Sequence, residues 1–103
     1  MKRHQSEPLA GELLDEDWLI ALEELCRMSH TSPEYVIELV DYGLLRPRGR
    51  MQTEWRFSGP AVVQVKRVLR LQHDLEVNLP GAVLIVEILD ELEQLRRKLE
   101  QLE

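Results

Sequence analysis

Three histidines, one cysteine and 19 carboxylates are the side chains with which this 103-residue sequence could do chemistry. His4, His30 and His73 are scattered along the chain, with no paired carboxylate or nucleophile at a spacing that would build acid–base or nucleophilic catalysis. Cys26 and His30, four residues apart, would supply two ligands, half of what a closed zinc site needs. A buried thiol is the plainer reading of Cys26. There is no glycine-rich phosphate loop. The sequence therefore reads as a non-enzyme without cofactor or metal, and its chemistry must be recognition.

Charge is distributed in blocks that could recognise something. Residues 1–42 carry 3 cations and 10 carboxylates, residues 43–73 carry 7 cations and one carboxylate, and residues 74–103 carry 3 cations and 8 carboxylates. Within the first block, Glu34, Glu38 and Asp41 are spaced four and three apart, on one side of a helix with Ile37 beside them. No cation lies between Ser32 and Tyr42. A helix that reads DNA needs arginine, lysine, asparagine or glutamine toward base edges. Three carboxylates would oppose a duplex carrying one charge per roughly 1.7 Å. This face suits a basic protein surface, with Ile37, Tyr35 and Tyr42 as apolar anchors; a merely solvated helix face is the alternative. In the middle block, Arg46, Arg48 and Arg56 are where a polyanion could sit, so nonspecific nucleic-acid contact is the rival reading. They could equally balance the acidic flanks within the fold, or join a protein contact opposite acidic residues of the partner.

The elements that must position these residues are legible in turn. Leu19, Leu22, Leu25 and Cys26 recur at helical spacing, a helix pattern that begins at Asp15, although Trp18-Leu19-Ile20 could instead be a short strand feeding a helix from about Ala21. Ser32-Pro33 is a strong helix start, and Gly43 ends that second helix after Tyr42. Two short helices across a tight turn are a helix-turn-helix signature. Arg46-Pro47 continues extended. Polar residues 48–53 with Gly49, then alternating Glu54-Trp55-Arg56-Phe57, predict a small hairpin, or wing. Ser58 and Pro60 begin a third helix with Val62, Val65, Val68/Leu69 and Leu75 inward and Lys66, Arg67, Arg70 and His73 outward. Asn78 caps a fourth helix.

That last helix carries Ile85, Ile88, Leu92, Leu95, Leu99 and Leu102 at spacings of three and four, a coiled-coil seam about 27 Å long. Ile88, Leu92, Leu95 and Leu99 are the expected homodimer contacts. A parallel pair would match Glu91 with Arg96 of the partner subunit, an antiparallel pair Glu91 with Lys98 of the partner subunit, so charge leaves orientation open. The helix could also pack on its own domain.

Residues 1–14 mix Pro8, Gly11 and polar residues and read as a flexible arm. The predicted organisation is that arm, a winged domain over 15–77 and a helix over 78–103, in a mainly α fold. With 44% apolar residues the chain can bury a modest core. The longest apolar run, Ala82–Val86, is far short of a membrane span, and no signal-like apolar segment follows the N-terminal cations. A single cysteine and no signal point to the cytoplasm.

In order and spacing, Ser32-Pro33, Tyr42-Gly43-Leu44-Leu45-Arg46-Pro47, a wing, a basic helix and a C-terminal coil resemble the winged helix-turn-helix domain of the MerR regulators. Glu24-Leu25-Cys26, Trp55-Arg56-Phe57, Val68-Leu69-Arg70-Leu71-Gln72-His73-Asp74-Leu75, Leu79-Pro80-Gly81-Ala82 and Leu89-Asp90-Glu91-Leu92 resemble more closely the chaperone-modulator family CbpM, over roughly residues 18–100. MerR regulators usually carry arginine and tyrosine at some outward positions of the second helix, and this sequence departs from them there. The resemblance implies binding to the J-domain of a CbpA-type (DnaJ-like) co-chaperone, with inhibition of its stimulation of Hsp70 and of its DNA binding. Glu34, Tyr35, Ile37, Glu38, Asp41 and Tyr42 would then meet the basic second helix of that J-domain, beside the His-Pro-Asp loop that engages Hsp70. Such a protein would be cytoplasmic, or nucleoid-associated through its partner. A MerR-like DNA-binding transcriptional regulator is the alternative.

Overall fold

The computed structural model describes residues 18–102, so the arm expected over 1–14 and a helix start at Asp15 lie outside the described residues. The elements run β1 (Leu19–Ala21), α1 (Leu22–Ser29), α2 (Pro33–Asp41), a 3-10 turn (Gln52–Glu54), β2 (Arg56–Ser58), α3 (Gly59–Leu75) and α4 (Leu79–Leu102). This is the expected mainly α, MerR-like winged helix-turn-helix with a two-stranded antiparallel sheet. One compact unit ends at Lys66, and a second begins at Arg67 inside α3.

In the first unit the Trp18–Ile20 stretch takes the strand alternative. Leu19 pairs with Ser58, Ile20 with Phe57 and Ala21 with Arg56. Ile20 and Phe57 are buried while Leu19 and Arg56 are exposed, the alternation a half-buried sheet requires. Leu19 therefore leaves the apolar helix face on which its spacing had placed it. Leu25 and Cys26 stay on that face and are buried, with Met28 and Ser29. Ser29 satisfies its own hydroxyl by donating to the Leu25 carbonyl at 2.6 Å.

The turn between α1 and α2 is closed by His30, in the left-handed conformation at φ 56°, while the Thr31 amide donates to the Cys26 carbonyl at 3.0 Å. Ser32 caps α2 as expected: its Oγ accepts the Tyr35 amide at 3.2 Å, and Pro33 occupies the first helical position. Gly43, at φ 85°, follows the Tyr42 C-cap, and the Gly43 and Leu44 amides donate to the Val40 and Leu39 carbonyls.

The predicted wing hairpin is closed at one antiparallel bridge, and the longer pairing of its strand is with β1. β2 is laddered to β1, and its link to the preceding segment is the single bridge Arg48–Arg56. Within residues 48–53 Met51 is the one large apolar side chain and it is 60% exposed, whereas Phe57 is buried opposite Ile20. Gly49, at φ 111°, is required here, because a Cβ would lie 2.6 Å from the Glu54 carbonyl oxygen.

Along α3, Ala61, Val62, Val65 and Val68 are buried, and Lys66, Arg70 and His73 are outward as expected. Two residues differ. Leu75, expected inward, is 54% exposed at the last residue of the helix. Arg67, expected outward, is half-buried and bonded to Asp90 of α4. In the second unit, Asn78 caps α4 by accepting the Gly81 amide at 2.8 Å. Ala82, Val83 and Val86 are the buried side chains of α4, and the helix beyond Asp90 is exposed.

Candidate protein-binding face

The geometry of α2 follows from which side it buries. Val36 and Leu39 are fully buried, and the opposite side presents Glu34, Glu38 and Asp41, all exposed, with Ile37 half-buried among them. No cation forms an ion pair with these three carboxylates among the described residues. Tyr35 is half-buried; burial, reinforced by the Glu38 carboxylate, pushes its phenol above the ordinary value. Tyr42, at the C-cap, is exposed at the end of the same helix. The six side chains singled out in the sequence thus all reach the surface of one helix and its cap, Tyr35 and Ile37 only in part.

The remaining reactive groups stand apart from this face. The Cys26 thiol is buried and pushed upward by burial, then by the Glu34 and Glu23 carboxylates. Protonated and enclosed, it is a core side chain rather than a nucleophile. Among the described residues no group of three histidine, cysteine or carboxylate side chains is placed to hold a metal ion. His73 contacts Asp74 at 3.2 Å on an open surface.

Two further features lie outside α2. Arg46, Arg48 and Arg56 gather with Ser58 and Leu19 around one concavity. Sequence reading had the arginines but not their convergence, whose signal is the i, i+2 spacing of 46 with 48 and of 56 with 58. On α4, Ile88, Leu92, Leu95 and Leu99 are 48–62% exposed, an apolar stripe on the surface of a single chain.

Comparison with known proteins decides the family. The family described as MerR HTH family regulatory protein matches residues 20–103. The chain is 39% identical over 75 residues to the chaperone modulatory protein CbpM of Pseudomonas entomophila, covering 73% of this chain and 74% of that one. It is 30% identical over 95 residues to CbpM of Coxiella burnetii (strain Dugway 5J108-111), covering 92% and 90%. The chain belongs to the CbpM family of chaperone modulatory proteins. CbpM of Pseudomonas putida (strain W619) matches at 35% over 75 residues. This chain thus combines CbpM relatives with the MerR helix-turn-helix framework, and the charged side chains on the outer side of its second helix are all carboxylates.

Proposed function

We propose that this chain is a chaperone modulator that binds the J-domain of a CbpA-type co-chaperone and, by covering it, inhibits stimulation of Hsp70 and the co-chaperone's DNA binding. The observation that carries this reading is the α2 face: three exposed carboxylates that form no ion pair among the described residues, interrupted by Ile37, on a chain whose relatives are named chaperone modulatory proteins. Opposite charge speeds encounter with a basic helix, and Ile37, Tyr35 and Tyr42 supply the apolar contact that slows departure. The mechanism is steric and competitive and needs no catalytic group. The winged domain over 15–77 carries recognition, and the helix over 78–103 pairs two copies through Ile88, Leu92, Leu95 and Leu99. The proposed place of action is the cytoplasm; no helix among the described residues is long and apolar enough to cross a membrane.

The test is the ATPase of Hsp70 stimulated by an isolated J-domain. Added protein should suppress the stimulated rate and leave the basal rate unchanged. Unaltered stimulation at saturating protein would reject the reading. The arginines of the wing favour a second one, a MerR-like transcriptional regulator touching phosphates. It predicts sequence-selective DNA binding.

A further inference from the structure

Arg46, Arg48, Arg56 and Ser58 line a polar concavity of about 170 Å³, with Leu19 at its edge. Their convergence is dictated by the backbone. Arg48 and Arg56 exchange both amide hydrogen bonds, at 2.9 and 3.0 Å. Residues paired in this way across antiparallel backbone carry their side chains on one face. Ser58 lies two residues beyond Arg56 on β2, hence on the same face. Arg46 lies two before Arg48 and is biased to extended backbone by Pro47.

Like charges directly opposed in a sheet are destabilising. Yet no carboxylate forms an ion pair with Arg46, Arg48 or Arg56 among the described residues. Arg56 gives one N–H to the Trp55 carbonyl at 2.8 Å, and four of the five guanidinium donors remain. Among the described residues the fold therefore gathers three forks around one space without supplying their counter-charge.

Beside this cradle, Arg46 and Ser58 also border a groove of about 490 Å³ whose walls include Leu44, Phe57, Pro60 and Ala61. An anion in the cradle thus has accessible apolar surface of Leu44 and Pro60 next to it, in a groove that Gln64 makes partly polar. A hydrated sugar–phosphate backbone gains nothing from such a wall, whereas an aliphatic side chain does. The net charge of −6 also works against any long polyanion. We propose that the wing is a docking site for an acidic peptide segment of a partner protein. A carboxylate is held by Arg46, Arg48 and Arg56, and a neighbouring aliphatic side chain enters the groove. This site uses none of the α2 residues and stands whether or not a J-domain is the partner of that helix.

The experiment uses the full chain and a fluorescein-labelled peptide of alternating glutamate and leucine, followed by anisotropy. Saturable binding is expected, weakening as salt rises. Arg46→Glu and Arg48→Glu should each weaken it by about tenfold or more. Lys66→Glu, an exposed cation outside the cradle, should stay within about twofold. The same peptide with glutamine for glutamate should not bind. Arg46 lies outside the paired backbone, so its variant keeps the wing even if changes at Arg48 loosen it; circular dichroism checks each fold. Four results would overturn the proposal: no binding to wild type, equal binding by Arg46→Glu, equal binding of the glutamine peptide, or preference for a short DNA duplex.

Discussion

Arg67 donates from Nη1 to Asp90 Oδ1 at 2.7 Å, joining α3 to α4 across 23 positions of sequence. The two side chains are 35% and 44% exposed, so solvent screens the pair. Its worth is at most about 1 kcal/mol, and less at high salt. Phe57, 1% exposed opposite Ile20, is a different case: removing its ring should cost about 3–5 kcal/mol. Asp90→Asn should therefore leave a cooperative urea transition slightly shifted, while Phe57→Ala should leave little folded protein in a domain this small. A larger shift for Asp90→Asn than for Phe57→Ala would mean that the ion pair, and not the sheet core, holds the fold.

Alkaline pH should destabilise the chain. Cys26 and Tyr35 both titrate later in the folded state than their ordinary values of 9.0 and 10.0, burial being the main cause. Both are neutral when protonated. Above pH 9.0 the unfolded chain has lost a thiol proton that the folded chain keeps, so it binds fewer protons and stability falls as pH rises. A second decline begins above 10.0, as Tyr35 follows. Urea midpoints across this range should drop for wild type, less steeply for Cys26→Ala, and least for Cys26→Ala with Tyr35→Phe. A flat wild-type profile would show that neither group is buried in solution.

Legibility in the sequence followed the local physics. Ser32-Pro33, Gly43 and Asn78 fixed helix ends because each acts on backbone within a few residues, and all three behave in the structure as their types require. The wing itself is legible in the alternation that ends at Phe57, but the main partner of its strand is not, because strand pairing is non-local. Nothing near residue 57 says that its partner is Ile20, 37 positions earlier, rather than the adjacent polar run. Arg67 was placed outward by helical period alone, which carries no information about Asp90. The outer face of α2 was readable because helix geometry decides which side a residue occupies. The arginine cradle was not, because it depends on the Arg48–Arg56 bridge.

Any DNA binding should be weak, insensitive to sequence, and largely lost between about 50 and 200 mM salt, as phosphate-only contacts are. The exposed carboxylates of α2 would oppose close approach of that helix to a duplex. Anisotropy with two unrelated duplexes checks this. A tight site at physiological salt that discriminates between them would favour the transcriptional reading.

The α4 stripe should make the protein a homodimer at micromolar concentration. Ile88, Leu92, Leu95 and Leu99 are all about half exposed or more, and contiguous apolar surface of this kind normally finds a partner. Light scattering should give about twice the 12.1 kDa chain mass for wild type. Leu95→Glu should shift the population toward monomer. Masses near 12.1 kDa for both would remove the dimer.

Charge reversal on α2 tests the proposed partner contact most directly. Glu34, Glu38 and Asp41 share one exposed side of the helix, whereas Glu100 lies far along α4 in the other compact unit. Placing lysine at 38 sets like charge against a basic J-domain helix, which should weaken binding by about 1–3 kcal/mol where the contact is partly desolvated. Glu100→Lys changes net charge equally but, as an exposed charge outside the proposed face, should alter inhibition little. The wild-type association rate should fall as salt rises, and the dissociation rate should change less. Because Glu38 is exposed, Glu38→Lys should leave the helical spectrum intact, so lost inhibition is not lost fold. If Glu38→Lys and Asp41→Lys both inhibit J-domain-stimulated ATPase as well as wild type, α2 is not the binding face. The search for the contact would then move to the arginines of the wing and α3.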